Sequence, residues 1–342
     1  MQSLRTPVER PAFFLARILL VEEQIGTTGV DKARQDCSDL NNSHKTFQPS
    51  LDPPEMPDAL SFDAIGFAGG GNRCYWQSGF HLALNLRYPQ RPAYYVAVSA
   101  GAYHCAMSLA GVGERVRNAA FTFAERNIPD LDWAALKERR SPLVVGGLFR
   151  QFLAQQFGEA ELEALKAAPP MLIQLARPPA WMPGGLAALG SIAAYQIEKR
   201  LTGGAHSKAG RYLGLKPAWI STHDLATAAD LVDAMMATSS VPPFMPVGRI
   251  AARAHLDGGL VDNPPTIRLS ETEAAGGRTL LLTTRYGRMP PAAQNRVVVG
   301  PSEDIRVNKF TVSDAAGLRH AFELGLRDGA AFAKTMPKLF GR

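Results

Sequence analysis

The stretch at residues 62–73, FDAIGFAGGGNR, decides how the rest of the chain is read. FDAIGFAG has the mostly apolar, β-rich character of a buried strand running into a glycine turn. Residues 73–86 then read as a helix. Residues 94–98 (YYVAV) read as a second buried strand that feeds Ser99 and another helix through Leu109. Strand, turn and helix, repeated, argue for a parallel or mostly parallel sheet with helices on both faces. Further candidate strands are residues 171–175 (MLIQL), 218–221 and 279–284 (TLLLTT), with helical stretches at 160–166, 186–201 and 228–237. At 314–334, Leu318, Phe322, Leu326 and Ala330 recur every four residues while Arg319, Glu323 and Arg327 fill another face, which predicts a closing surface helix.

The 342 residues suffice for one large α/β domain or two ordinary ones. With 46% apolar and 20% charged residues, the composition excludes disordered and membrane-spanning classes. Cys37, Cys74 and Cys105 are too scattered for a disulfide framework, and no Cys/His spacing suggests zinc, so a reducing compartment is expected. The net charge of +6 favours anionic surfaces, either nucleic acid or acidic lipid head groups. Residues 11–21 (PAFFLARILLV) make a poor export signal: Arg17 interrupts the run, Glu22 and Glu23 follow, and it is too short to span a bilayer. A cytoplasmic location is expected. Residues 24–60 are polar, proline-punctuated and aperiodic, so 1–60 is expected to be a largely unstructured extension or linker, with the folded domain at 61–342.

Three short blocks bear chemistry. Gly69, Gly70 and Gly71 strip side chains from a strand-to-helix turn, so backbone N–H groups can converge on one point at the positive end of a helix. That is a cradle for an anion. A nucleotide phosphate is the rival guest, but the spacing fits G-x-G-x-x-G poorly and no G-K-[ST] follows. Ala97-Val98-Ser99-Ala100-Gly101 has the layout of a nucleophile elbow, with Ala97 where glycine is usual; an ordinary capping serine is the alternative. Asp257-Gly258-Gly259 reads by itself as a turn.

Glycine turn, elbow serine and D-G-G in this order resemble the patatin-like phospholipase family, whose pattern is G-G-G-x-[R/K], G-x-S-x-G and D-G-[G/A]. Ser239 to Phe244 (SSVPPF) and Asn263-Pro264 extend the resemblance, which covers residues 62–334 in outline and 110–225 only loosely; Cys74 stands where many members carry glycine. The resemblance implies a three-layer α/β/α sandwich around a central, mostly parallel sheet, with 61–342 as the catalytic domain. It implies a serine acyl-ester hydrolase that uses a Ser99–Asp257 dyad without histidine and an acyl-enzyme, with Gly69, Gly70 and Gly71 as oxyanion hole and Arg73 in support. Neither metal nor organic cofactor is called for. The expected partner is a lipid acyl ester, phospholipid or lysophospholipid first, with peripheral attachment to a membrane and no nucleic acid.

Two other readings stay open. One is an α/β-hydrolase with a Ser-Asp-His triad, for which His320 is the one histidine after Asp257; His104 and His255 are expected to pack. The other is a non-catalytic lipid-binding protein on the same fold. Leu148, Phe149, Phe152, Phe157, Trp181 and Met182 could form an apolar lip over the site, followed by a basic run of Lys199, Arg200, Lys208, Arg211 and Lys216 suited to anionic membrane.

Overall fold

A computed structural model describes residues 60–133, 142–182, 185–186, 190, 209–287, 289–290 and 292–341. The chain divides into two units, Met1–Met56 and Pro57–Arg342, and every described residue belongs to the second. The expected extension, the helix at 186–201 and the basic residues Lys199, Arg200 and Lys208 lie wholly or mostly outside the described residues. Leu60, assigned to the linker from sequence, is buried, and its carbonyl accepts from Gln90 Nε2 at 3.0 Å.

The described residues form an eight-stranded mixed sheet. Its centre is parallel, in the order β3 (Met171–Arg177), β2 (Tyr94–Val98), β1 (Ala64–Phe67), β7 (Thr279–Leu282) and β8 (Arg296–Val299). β4 (Lys216–Ser221) pairs antiparallel along one edge of β3. The other edge of β3 is shared. β2 occupies it as far as Val98 opposite Gln174, and β6 (Arg253–Asp257), running antiparallel, takes over with Asp257 opposite Leu175. β5 (Gly248–Ile250) completes a hairpin with β6.

Alternation along the strands sorts side chains between two faces. Ile65, Phe67, Tyr95, Ala97 and Leu280 join a large core with α1 (Tyr75–Arg87), α2 (Ala100–Leu109), α3 (Gly113–Ala124), α4 (Val145–Gln156), α5 (Glu159–Ala167), α6 (Ala228–Thr238) and α8 (Ala315–Ala333). Ala64, Val96 and Leu281 pack on the other face against Leu269 of α7 (Ile267–Ala274). The sheet therefore lies between two helical layers, the three-layer α/β/α arrangement expected.

The closing helix α8 keeps Arg319, Glu323 and Arg327 exposed as expected, and it packs more closely than its apolar stripe implies. Its Gly325 and Gly329 sit against the backbone of Trp76 and Phe80 in α1, and Gly79 of α1 sits against the Phe322 carbonyl, so two helices touch main chain to main chain. A four-residue apolar stripe cannot signal this, because the contact residues are glycines. Leu318 and Phe322 are buried as expected, whereas Ala330 is exposed.

Candidate active site

The head-to-head meeting of β2 and β6 on the edge of β3 places Ser99 and Asp257 together. Ser99 follows β2 in a positive-φ conformation, φ 55° and ψ −139°, before α2 begins at Ala100. Such strain in a non-glycine residue persists only where the surroundings enforce it. They do so here. The Ser99 amide donates to Thr238 Oγ1 at 2.9 Å, and that hydroxyl donates to the Gln174 carbonyl at 2.5 Å. Gly101 lets α2 approach the end of β1, since a Cβ there would stand 2.6 Å from the Ala68 carbonyl oxygen. Ala97, in place of the usual glycine, is fully buried within the large core, which accommodates its methyl group.

Asp257 ends β6 and opens a short turn, Gly258–Leu260, whose Gly259 amide donates to Asp257 Oδ1 at 2.7 Å. The Asp257 amide donates to the Ser240 carbonyl at 2.9 Å. One stretch at the end of α6, Thr238 to Ser240, thus holds the backbone of both residues. Ser99 and Asp257 line the same cavity, with the serine hydroxyl near enough to influence the carboxyl. Burial pushes this carboxyl up to about 6, against the opposing pull of the Ser99 hydroxyl, the Gly259 amide and the Lys309 charge. A carboxylate so poised can accept a proton near neutral pH.

The glycine turn lies alongside. Gly69 packs against Ser99, where an added Cβ would come within 2.9 Å of the Ser99 Cβ. Its amide donates to Asn263 Oδ1 at 3.0 Å and its carbonyl accepts from Thr284 Oγ1 at 3.1 Å. The sequence expectation that Gly69 donates to an oxyanion is therefore corrected: its N–H is occupied, and it serves to lock the turn to the segment after Asp257. The Cys74 thiol behind the turn donates to the Ala68 carbonyl at 3.5 Å. Among the described residues, the Gly71 amide donates to no other group. Gly71 has φ +59° and sits against the Lys309 carbonyl.

Ser99, Asp257, Gly69, Gly70, Gly71 and Arg73 line one cavity of about 1060 Å³. Leu148, Phe149 and Phe152 also line it, joined by Val145 on the same helical spacing of α4. The rest of the expected lip goes elsewhere. Phe157 is buried in the core, Trp181 is exposed, and Met182 packs against the Leu215–Leu256 cluster. In the expected basic run, Arg211 is committed to the Val261 carbonyl at 2.7 Å and to Asp262.

The histidines are placed as follows. His320 lies on α8 with Nε2 3.9 Å from Glu303 and does not line the cavity. His255 Nδ1 contacts the Arg253 carbonyl at 3.1 Å. His104 borders the cavity, but its Nδ1 pairs with Ser78 Oγ at 2.6 Å, and burial lowers it to about 3, so it stays neutral. Among the described residues no group of three His, Cys, Asp or Glu side chains is placed to hold a metal ion. No described helix is long and apolar enough to cross a membrane.

Sequence reasoning missed Thr238, Arg285, Lys309 and Phe310, and it singled out Asn263 without its bond to Gly69. Thr238 and Asn263 adjoin the SSVPPF and D-G-G blocks, so proximity to a motif was a usable signal. Lys309 and Phe310 lie in an irregular segment without periodicity and offered none.

A family model described as patatin-like phospholipase matches residues 66–269 of the chain, a span that holds the glycine turn, the elbow and the Asp257 turn. No curated protein matches it.

Proposed function

We propose, for a chain that belongs to the patatin-like phospholipase family of lipid acyl hydrolases, that Ser99 and Asp257 form a catalytic dyad that cleaves acyl esters through an acyl-enzyme. The observation behind this reading is the strained elbow serine sharing one cavity with a buried carboxyl. Ser99 Oγ attacks the ester carbonyl as its proton passes to Asp257. The tetrahedral oxyanion accepts from the Gly70 and Gly71 amides. Collapse expels the alcohol, which takes the proton from Asp257 and leaves the acyl group on Ser99. Asp257 then deprotonates a water that attacks the acyl-enzyme, and the carboxylic acid departs as the proton returns to Ser99.

The cavity supports a lipid with an anionic head. Val145, Leu148, Phe149 and Phe152 offer an apolar wall for an acyl chain, and Arg73, Arg285 and Lys309 also line the cavity. Phospholipid and lysophospholipid are therefore the leading substrates.

A fluorophosphonate probe followed by mass spectrometry tests the nucleophile. Labelling at Ser99, absent in Ser99→Ala, is the expected result; labelling at another serine, or none, overturns the assignment. The base is tested by pH. Asp257 works only when ionised, so kcat/KM for a nitrophenyl ester should fall tenfold per unit below about pH 6. The Lys309 charge holds the Asp257 carboxyl lower than burial alone would. Lys309→Ala is therefore expected to move this acid limb to higher pH, and Lys309→Arg to leave it in place. A limb that stays put in Lys309→Ala would remove Lys309 from the dyad's electrostatics.

A further inference from the structure

Two irregular segments meet at the mouth of the Ser99 cavity. Residues 241–246 follow α6, and their Met245 is buried with its amide bonded to the Val241 carbonyl at 3.1 Å. Residues 307–312 lie across the glycine turn. The Lys309 carbonyl accepts from the Asn72 amide at 3.1 Å, and Asn72 Nδ2 donates to the carbonyls of Asn308 and Thr311, both at 2.8 Å. Val307 is buried at one end, and the Val312 amide is tied to Asp130 Oδ1 at 3.0 Å at the other. Each segment is thus anchored at its flanks.

Between the anchors, Phe244 and Phe310 reach each other. Their rings are stacked with centroids 4.6 Å apart and planes at 8°. Both line the cavity. Neither belongs to a hydrophobic core cluster, and among the described residues neither makes another ring contact. Phe244 is 36% exposed and Phe310 is half-buried, so the pair sits at the boundary between cavity and solvent. Gly146 of α4 lies close under this segment, where a Cβ would meet Pro246 at 2.8 Å and the Phe244 carbonyl at 3.2 Å, so the main chain beside Phe244 has little room to retreat toward α4. Two half-exposed aromatic rings that contact each other and no core are poorly explained by packing. As a closure over an apolar space they are well placed, because among the described residues the one ring contact of each is with the other, and its loss leaves both flanking anchors intact.

We propose that Phe244 and Phe310 form a size-selecting gate on the Ser99 cavity, so that entry of a bulky lipid ester requires the two rings to part while a small ester passes beside them. The proposal rests on the reading of Ser99 as the nucleophile. It makes the pair specificity-determining, acting on which esters reach the serine and not on the chemistry there.

The test compares a diacyl fluorogenic phospholipid with a short-chain nitrophenyl ester, using the full chain. Phe244→Ala and Phe310→Ala are each expected to raise the ratio of kcat/KM for the diacyl substrate over the short ester by roughly tenfold. The double variant should match the singles, because removal of either ring already opens the gate. Phe310→Tyr, which keeps the stack, should hold the wild-type ratio. Should an alanine variant fail to fold, Phe244→Leu and Phe310→Leu keep most of the volume without the stack and should move the ratio in the same direction. Ser99-dependent hydrolysis with an unchanged or lowered ratio in both single variants overturns the gate alone. Wild-type failure with both esters overturns the reading of Ser99 and the gate with it.

Discussion

Asp257→Asn should lower kcat/KM by about 10⁴-fold, the upper end of what a general base contributes, and it should do so in a protein that melts no lower than the wild type at pH 8. The first half follows from the absence of a substitute. His104 is neutral and bonded to Ser78, and His255 and His320 do not line the cavity, so among the described residues no imidazole is placed to take the Ser99 proton when the carboxylate is gone. An asparagine keeps the shape and can still accept the Gly259 amide bond, but its amide cannot accept a proton. The second half follows from linkage. Burial raises the Asp257 carboxyl from 3.8 in the unfolded chain to about 6 in the folded one. A group raised in this way favours the folded state fully below the lower value, and that contribution is lost as pH rises through the upper one. Above pH 6 the wild type therefore carries a buried charge that costs up to about 3 kcal/mol. The variant escapes this cost, so the gap between the two melting temperatures should open between pH 4 and 6 and stay open at pH 8. Turnover within tenfold of wild type would remove Asp257 as the base. A variant that melts well below wild type at pH 8 would show that its carboxylate is held more favourably than its burial suggests.

Much of this arrangement was legible in the chain, for reasons that differ from part to part. β1 and β2 are short apolar runs followed at once by small residues, so their strand-to-helix turns are marked by composition. The three glycines could be read as a close-approach site, and the structure supplies a neighbour for each: Ser99, Thr284 and the Lys309 carbonyl. Other features had no local signal. β5 and β6 are joined through Ala251 and Ala252, both at positive φ, where glycine or asparagine would have announced a hairpin. β8 is four residues long and adjoins β7 only after an irregular excursion. The proximity of Ser99 and Asp257 is a matter of register, fixed by which residues of β3 each neighbouring strand selects. No periodicity within either strand encodes that choice. The same holds for Gly69, whose glycine was anticipated while the capture of its amide by Asn263 was not.

Gly71→Ala should be nearly as damaging as loss of the base, though by a different route. Gly71 has φ +59°, a conformation that L side chains rarely adopt, and its missing Cβ leaves room for the Lys309 carbonyl, the same oxygen that accepts from the Asn72 amide. A methyl group there meets main chain and cannot be relieved by a rotamer change. Either the turn rotates toward negative φ, which redirects the amide proposed to meet the oxyanion, or residues 307–312 lift away and take Lys309 and Phe310 with them. The first outcome removes one preorganised donor, with an expected fall in kcat of about 10² to 10³-fold and little change in KM. The second also weakens the gate and the field at Asp257, so the acid limb of the pH profile would rise together with the diacyl-to-short-ester ratio. Measuring kcat, the acid limb and that ratio on one variant separates the two. A Gly71→Ala protein with wild-type kcat would show that this amide does not meet developing charge, and the oxyanion would have to be held by other donors at the start of α2.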